Sequence, residues 1–213
     1  MNSGQLKAEA IKVVRTRLVA DGWTDLTGRG HILIRRASTD VLERIGLSLG
    51  LNRKDRTISI DPFVGVRYEP VAALVESFYK DSQATAVAAS TVVTGLADVC
   101  AGQDRSAWVF AGTDDLGNAA EAVAGALLNA GYDFMHEFHD LDRIKQELEQ
   151  KPMSREYSDS LAVIYALEGD LGSARTVLAA RLAEANDLSA PELAAQSRGF
   201  VERLQEHFSF RLL

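Results

Sequence analysis

Ile45, Leu47, Leu49 and Leu51 alternate with Gly46, Ser48, Gly50 and Asn52, and this period of two constrains the chain more than any other feature. Successive side chains of a strand point to opposite faces, so the run reads as a strand with one apolar face and one small, polar face. After a charged turn at residues 52–56, Ile58 and Ile60 resume the alternation, and the two runs form a hairpin. Pro62 lacks the N–H that a ladder requires. It is expected to interrupt the second run, with residues 63–67 continuing beyond a bend or bulge.

The remaining elements follow from local signals. Leu6, Ala10, Val13, Val14 and Leu18 recur at helical spacing, so residues 3–20 form a helix that Asp21 and Gly22 end. Residues 24–30 are a turn, and His31 to Arg36 form a short strand around Ile32, Leu33 and Ile34. Pro70 opens a helix reaching Tyr79. Residues 85–94, and then Trp108, Val109 and Phe110, read as further strands separated by a turn at residues 102–105. Thr113 or Asp114 caps a helix that stops at Gly131, and Asp140 caps the next. Residues 155–168, 171–185 and 190–208 are three more helices. The expected fold class is therefore α+β: an antiparallel sheet of about five strands with packed helices, followed by an all-helical C-terminal tail. With 213 residues the chain has room for two units. We place them at 1–152 and 153–213, the tail either standing alone or docking on the first.

Composition narrows the function. Apolar residues make up 46% of the chain, enough for a core without disulfides or metals. A single cysteine, Cys100, cannot form an internal bridge, and residues 1–20 lack the continuous apolar core of a signal peptide, so the expected location is the cytoplasm. No apolar run is long enough to span a bilayer. A net charge of −7 opposes binding to nucleic acid or anionic lipid and favours a basic partner.

No residue set calls for catalysis or a cofactor. Cys100, between Val99 and Ala101, reads as a buried hydrophobe, and no Gly-x-Ser-x-Gly elbow occurs. Gly28-Arg29-Gly30 precedes a strand where a phosphate loop would follow one, so it is a turn. The acidic pairs Asp114-Asp115 and Asp140-x-Asp142 sit at helix starts, where carboxylates complement the dipole. His136 and His139 are three apart and could meet on one helical face, which makes them the candidate metal ligands; a third ligand is missing, and no metal is assigned. Exposed arginines and aromatics most often anchor interfaces. The candidate partner-binding residues are therefore Trp23, Arg35, Arg36, Arg67 and Tyr68, with His136 and His139 beside them.

Two resemblances add to this reading. Leu161, Ala162, Tyr165, Gly169, Ala174 and Leu178 resemble a single tetratricopeptide-like helix hairpin near residues 155–186, although Arg181 stands where that repeat prefers a small residue. One such unit cannot bury its own face and is read as a helix pair. The leading helix, Gly22-Trp23, the Ile-rich strand and the run from Ile58 to Arg67 resemble small bacterial proteins of unknown function, some similar to immunity proteins of polymorphic toxin systems. The likeness continues through residues 130–134 and 141–144. It implies a protein partner, such as a basic toxin domain. The expected function is thus a non-catalytic protein-binding protein of immunity type, the alternatives being a homodimeric scaffold or an enzyme whose site forms only in the fold.

Overall fold

The computed structural model describes residues 3–26, 31–52, 54–79, 90–100, 108–151, 155–187 and 191–211. The turns at Gly28-Arg29-Gly30 and at residues 102–105, and the first part of the 85–94 strand, lie outside them. The chain divides into two compact units, one of Met1–Val66 and Val93–His139, the other of Arg67–Val92 and Asp140–Leu213. Among the described residues no helix is long and apolar enough to cross a membrane.

The first unit carries the antiparallel sheet and so the α+β class. Helix α1 (Ser3–Ala20) leads to β1 (Thr24–Asp25), β2 (Ile32–Arg36), β3 (Val41–Asn52) and β4 (Thr57–Tyr68). A short helix α2 (Glu69–Ser77) precedes β5 (Val92–Gly95), followed by α3 (Leu96–Val99) and β6 (Val109–Phe110). The strand order is β1-β2-β3-β4-β5, with β6 pairing β4. Helix α1 buries Ala10, Val14 and Leu18 completely and packs on α4 (Thr113–Ala126), which buries Leu116, Ala120 and Val123. Each large apolar side chain so removed from water contributes about 1.5–3 kcal/mol.

Four expectations are corrected here. Pro62 does not interrupt β4, which runs unbroken through it. Among the described residues β6 engages β4 at Ile58 and Ser59, so Pro62 lies outside that pairing and withholds no N–H from it. Gly131 is not a helix stop: α4 passes through a π-helical turn (Leu127–Gly131) into α5 (Tyr132–Glu137). A Cβ at Gly131 would lie 3.2 Å from both Leu96 and Val64, so glycine is there to let the helix approach β4 and α3 closely. The N-cap of α4 is Gly112, and neither Thr113 nor Asp114 caps it. Finally, β3 begins at Val41, and residues 41–47 are buried on both faces without alternation, whereas Leu51 is exposed. Gly46 within this stretch makes room for Phe63, whose ring occupies the space a Cβ would fill and would have to shift to admit one.

The second unit is helical. Helices α6 (Leu141–Gln150), α7 (Arg155–Leu167), α8 (Leu171–Asp187) and α9 (Pro191–His207) join α2, with α7 against α2, α6 and α8, and α8 against α9. Asp140 caps α6 as expected, accepting from the Asp142 N–H. Leu161, Ala162, Ala174 and Leu178 are buried in the α7–α8 pair. Arg181 is buried as well. Its Nε donates to Asp159 Oδ1 at 2.9 Å, the Tyr79 hydroxyl donates to Asp159 Oδ2, and Tyr79 stacks on Phe200. A large charged residue fits in this helix pair because a carboxylate on the facing helix neutralises it.

Candidate functional site

The burial of residues 41–47 puts Glu43 into the sheet of the first unit with 1% of its surface exposed. A carboxylate there needs partners, because desolvation penalises an unpaired charge heavily. The sheet register supplies one directly. Arg35 on β2 is the Cα partner of Glu43 on β3, and its Nε and Nη2 reach Glu43 Oε2 at 2.7 and 2.6 Å. The other carboxylate oxygen, Oε1, lies 2.9 Å from His139 Nε2. One buried carboxylate thus holds an arginine on one oxygen and an imidazole on the other.

Aromatic rings enclose the arginine. Thr24 pairs with Ile34, so Trp23, one residue earlier, falls beside Arg35 in the next row of the sheet. The Arg35 guanidinium lies 4.8 Å from the Trp23 ring and 4.9 Å from the Tyr132 ring, within the range of cation–π attraction. Tyr132 opens α5, and the same helix brings His136 round behind it, 5.9 Å between ring centroids. The π-helical turn sets the phase of α5, and with it the direction in which Tyr132 and His136 face. His136 and His139 then meet at 4.9 Å between centroids.

Depth separates the members of this row. Trp23 is 3% exposed, so it backs Arg35 and presents almost no surface to solvent. The side chains of Arg35 and His139 are 27% and 28% exposed, and Tyr132 is 38% exposed. Together with exposed His136 they form the solvent side of the group. Glu43 and Tyr132 were not among the sequence candidates. Glu43 could have been found from the β2–β3 register, had the strand been started at Val41.

The other candidates lie elsewhere. Arg36 is exposed and its Nη1 donates to the Thr39 carbonyl at 3.0 Å. Arg67 and Tyr68 belong to the second unit. Arg67 is 6% exposed; Glu76 takes its Nη1 and, at 2.9 Å, its Nη2, and Glu69 takes its Nε at 3.1 Å. Burial alone would lower the Arg67 pKa, but the hydrogen bonds and charges of Glu76 and Glu69 raise it instead. The Tyr68 amide donates to Thr91 Oγ1. Cys100 is a buried thiol, His31 is exposed, and His207 packs edge-on against Phe78 in the second unit. Among the described residues no group of three or more His, Cys, Asp or Glu is placed to hold a metal ion.

No family model, no curated protein and no solved structure matches this chain.

Proposed function

We propose that this is a non-catalytic protein-binding protein whose docking surface lies on the first unit around Arg35 and Tyr132. The observation that carries the reading is the clamp on Arg35, whose guanidinium is held between Trp23 and Tyr132 and tied to a buried carboxylate. Arginine and tyrosine are among the residues that most often dominate interface energetics. Side chains ordered before binding lose less rotamer freedom when the partner arrives. The net charge of −7 supports a basic partner, attracted at long range. Within this reading the protein acts in the cytoplasm as an immunity-type protein, covering the active surface of a basic toxin domain.

The test is co-expression with the products of the flanking genes, followed by affinity measurement on purified proteins. A stable complex is expected, together with protection from the partner's toxicity. Truncating both Arg35 and Tyr132 to alanine should weaken the complex at least 100-fold, since each hot-spot truncation costs about 2 kcal/mol or more. No complex and no protection with any neighbour would sink the reading; a complex indifferent to the double substitution would move the docking surface away from Arg35.

A catalytic reading has one observation in its favour. A buried carboxylate orienting an imidazole, as Glu43 does His139, is how general bases are set in place. Among the described residues, however, the His139 ring makes no hydrogen bond to a hydroxyl or thiol, so no side-chain nucleophile is paired with it.

A further inference from the structure

The two imidazoles at the end of the Arg35 row have an arrangement that protein docking does not require. His136 is in the last turn of α5 and His139 follows it by three residues, with ring centroids 4.9 Å apart and planes inclined at 46°. A transition metal sits about 2.0–2.1 Å from an imidazole nitrogen, hence roughly 3.2 Å from the ring centroid. Centroids 4.9 Å apart then subtend about 100° at a shared ion, close to a tetrahedral angle. The separation of the rings is therefore one that a shared ion can accept.

Their nitrogens are also available. The His136 ring makes no hydrogen bond among the described residues, and the only one made by the His139 ring is between Nε2 and Glu43 Oε1. That bond decides the tautomer. Beside a carboxylate Nε2 carries the proton and donates it, so in the neutral ring Nδ1 is the nitrogen with a lone pair to offer. Carboxylate, histidine and metal in series is the usual outer support of a ligating imidazole; it fixes the ring and raises its basicity. Glu43 is itself pinned by Arg35 and 1% exposed, so it orients His139 and does not compete as a ligand. His136 is exposed and the His139 side chain 28% exposed, which leaves an ion a path from solvent.

We propose that His136 and His139 bind a divalent transition-metal ion of the imidazole-preferring class, zinc, nickel or copper, through His139 Nδ1 and one ring nitrogen of His136. Glu43 acts as the positioning residue behind His139. Water completes the coordination, because no third His, Cys, Asp or Glu stands with the pair among the described residues. The same set of ligands should hold copper more tightly than nickel or zinc. The inference is independent of the protein-binding reading, since it concerns the isolated chain.

Calorimetric titration of the chelator-treated full chain with zinc or copper chloride alone tests it. One saturable site per chain is expected, lost in His136→Ala, whose exposed side chain can be removed without disturbing the core, and lost again in His139→Ala. Copper electron paramagnetic resonance should show nitrogen coupling from both imidazoles. Glu43→Gln should weaken binding about 10- to 100-fold. If that variant unfolds by circular dichroism, His136→Ala still decides the matter. His31→Ala and His207→Ala should bind like the parent. Absence of saturable binding, binding that survives His136→Ala, or binding that follows His31 or His207 would overturn the proposal.

Discussion

Each unit of this protein contains an arginine paired with a buried carboxylate and in contact with an aromatic side chain, yet the two networks differ in depth. In the second unit both Arg181 and Asp159 have side chains only 3% exposed, and the two carboxylate oxygens of Asp159 go to Arg181 and Tyr79. Burial alone would lower the Arg181 pKa, but the hydrogen bond and charge of Asp159 and the contact with Tyr79 raise it instead. In the first unit Glu43 is equally deep, but Arg35 and His139 are 27% and 28% exposed. The same chemistry seals a helical core in one place and holds an arginine, a tyrosine and two histidines at a surface in the other. Residue type does not distinguish the two roles; the depth of the cationic partner does.

The largest break in this comparison should come from Asp159→Ala. It leaves a fully buried guanidinium uncompensated and should cost about 3–5 kcal/mol in denaturant unfolding. Replacing both Asp159 and Arg181 with apolar residues of similar volume should recover most of that loss. A cost under about 1 kcal/mol for the single substitution would mean that Arg181 reaches water, and the sealed half of the comparison would fail.

Glu43→Ala is the matched experiment in the first unit. Arg35 and His139 can be rehydrated where they are, so the expected loss is about 1–3 kcal/mol, the range for a hydrogen bond to a charged group. An equal loss at both sites would erase the distinction. Tyr132→Ala should be milder, about 0.5–1 kcal/mol of cation–π attraction, while weakening any complex far more. Comparable effects on stability and binding would make Tyr132 merely structural.

The smallest effect at neutral pH concerns Tyr165 on α7, whose pKa burial pushes up to about 12, helped by its hydrogen bond and repulsion from Glu149. The folded state therefore favours the neutral phenol. Its contribution to stability is fully present below pH 10, the ordinary tyrosine value, and is lost as pH rises from there through about 12. Ultraviolet titration of the tyrosines should show a late component that Tyr165→Phe removes and Glu149→Gln moves back toward pH 10. A late component that persists in Tyr165→Phe would refute the assignment.

Much of the secondary structure was legible because its signals are local. The alternation from Ile45 to Leu51 marked β3, the apolar spacing of Ala10, Val14 and Leu18 marked α1, and Asp140 marked the start of α6. The start of β3 was missed for a physical reason. Glu43 and Arg44 interrupt the apolar pattern, and a charged residue in a strand ordinarily signals solvent or a strand end. Gly131 was misread because glycine serves equally as a helix stop and as a point of close approach; only the 3.2 Å distance to Val64 and Leu96 tells which. The histidine spacing was visible, but the carboxylate behind His139 comes from a residue 96 positions away.

The sequence by itself determined the α+β class, most of the helices and the β3–β4 hairpin, because period, caps and turns act over a few residues. Tertiary structure alone decided which charges are buried, that Trp23 supports and Tyr132 presents, and that Arg35, Glu43 and His139 form one group while Arg67 joins another. The reason is that the cost of a charge depends on what surrounds it. For Glu43 those surroundings come from β2 and from the end of α5, brought together by sheet register and a π-helical turn that no local pattern announces.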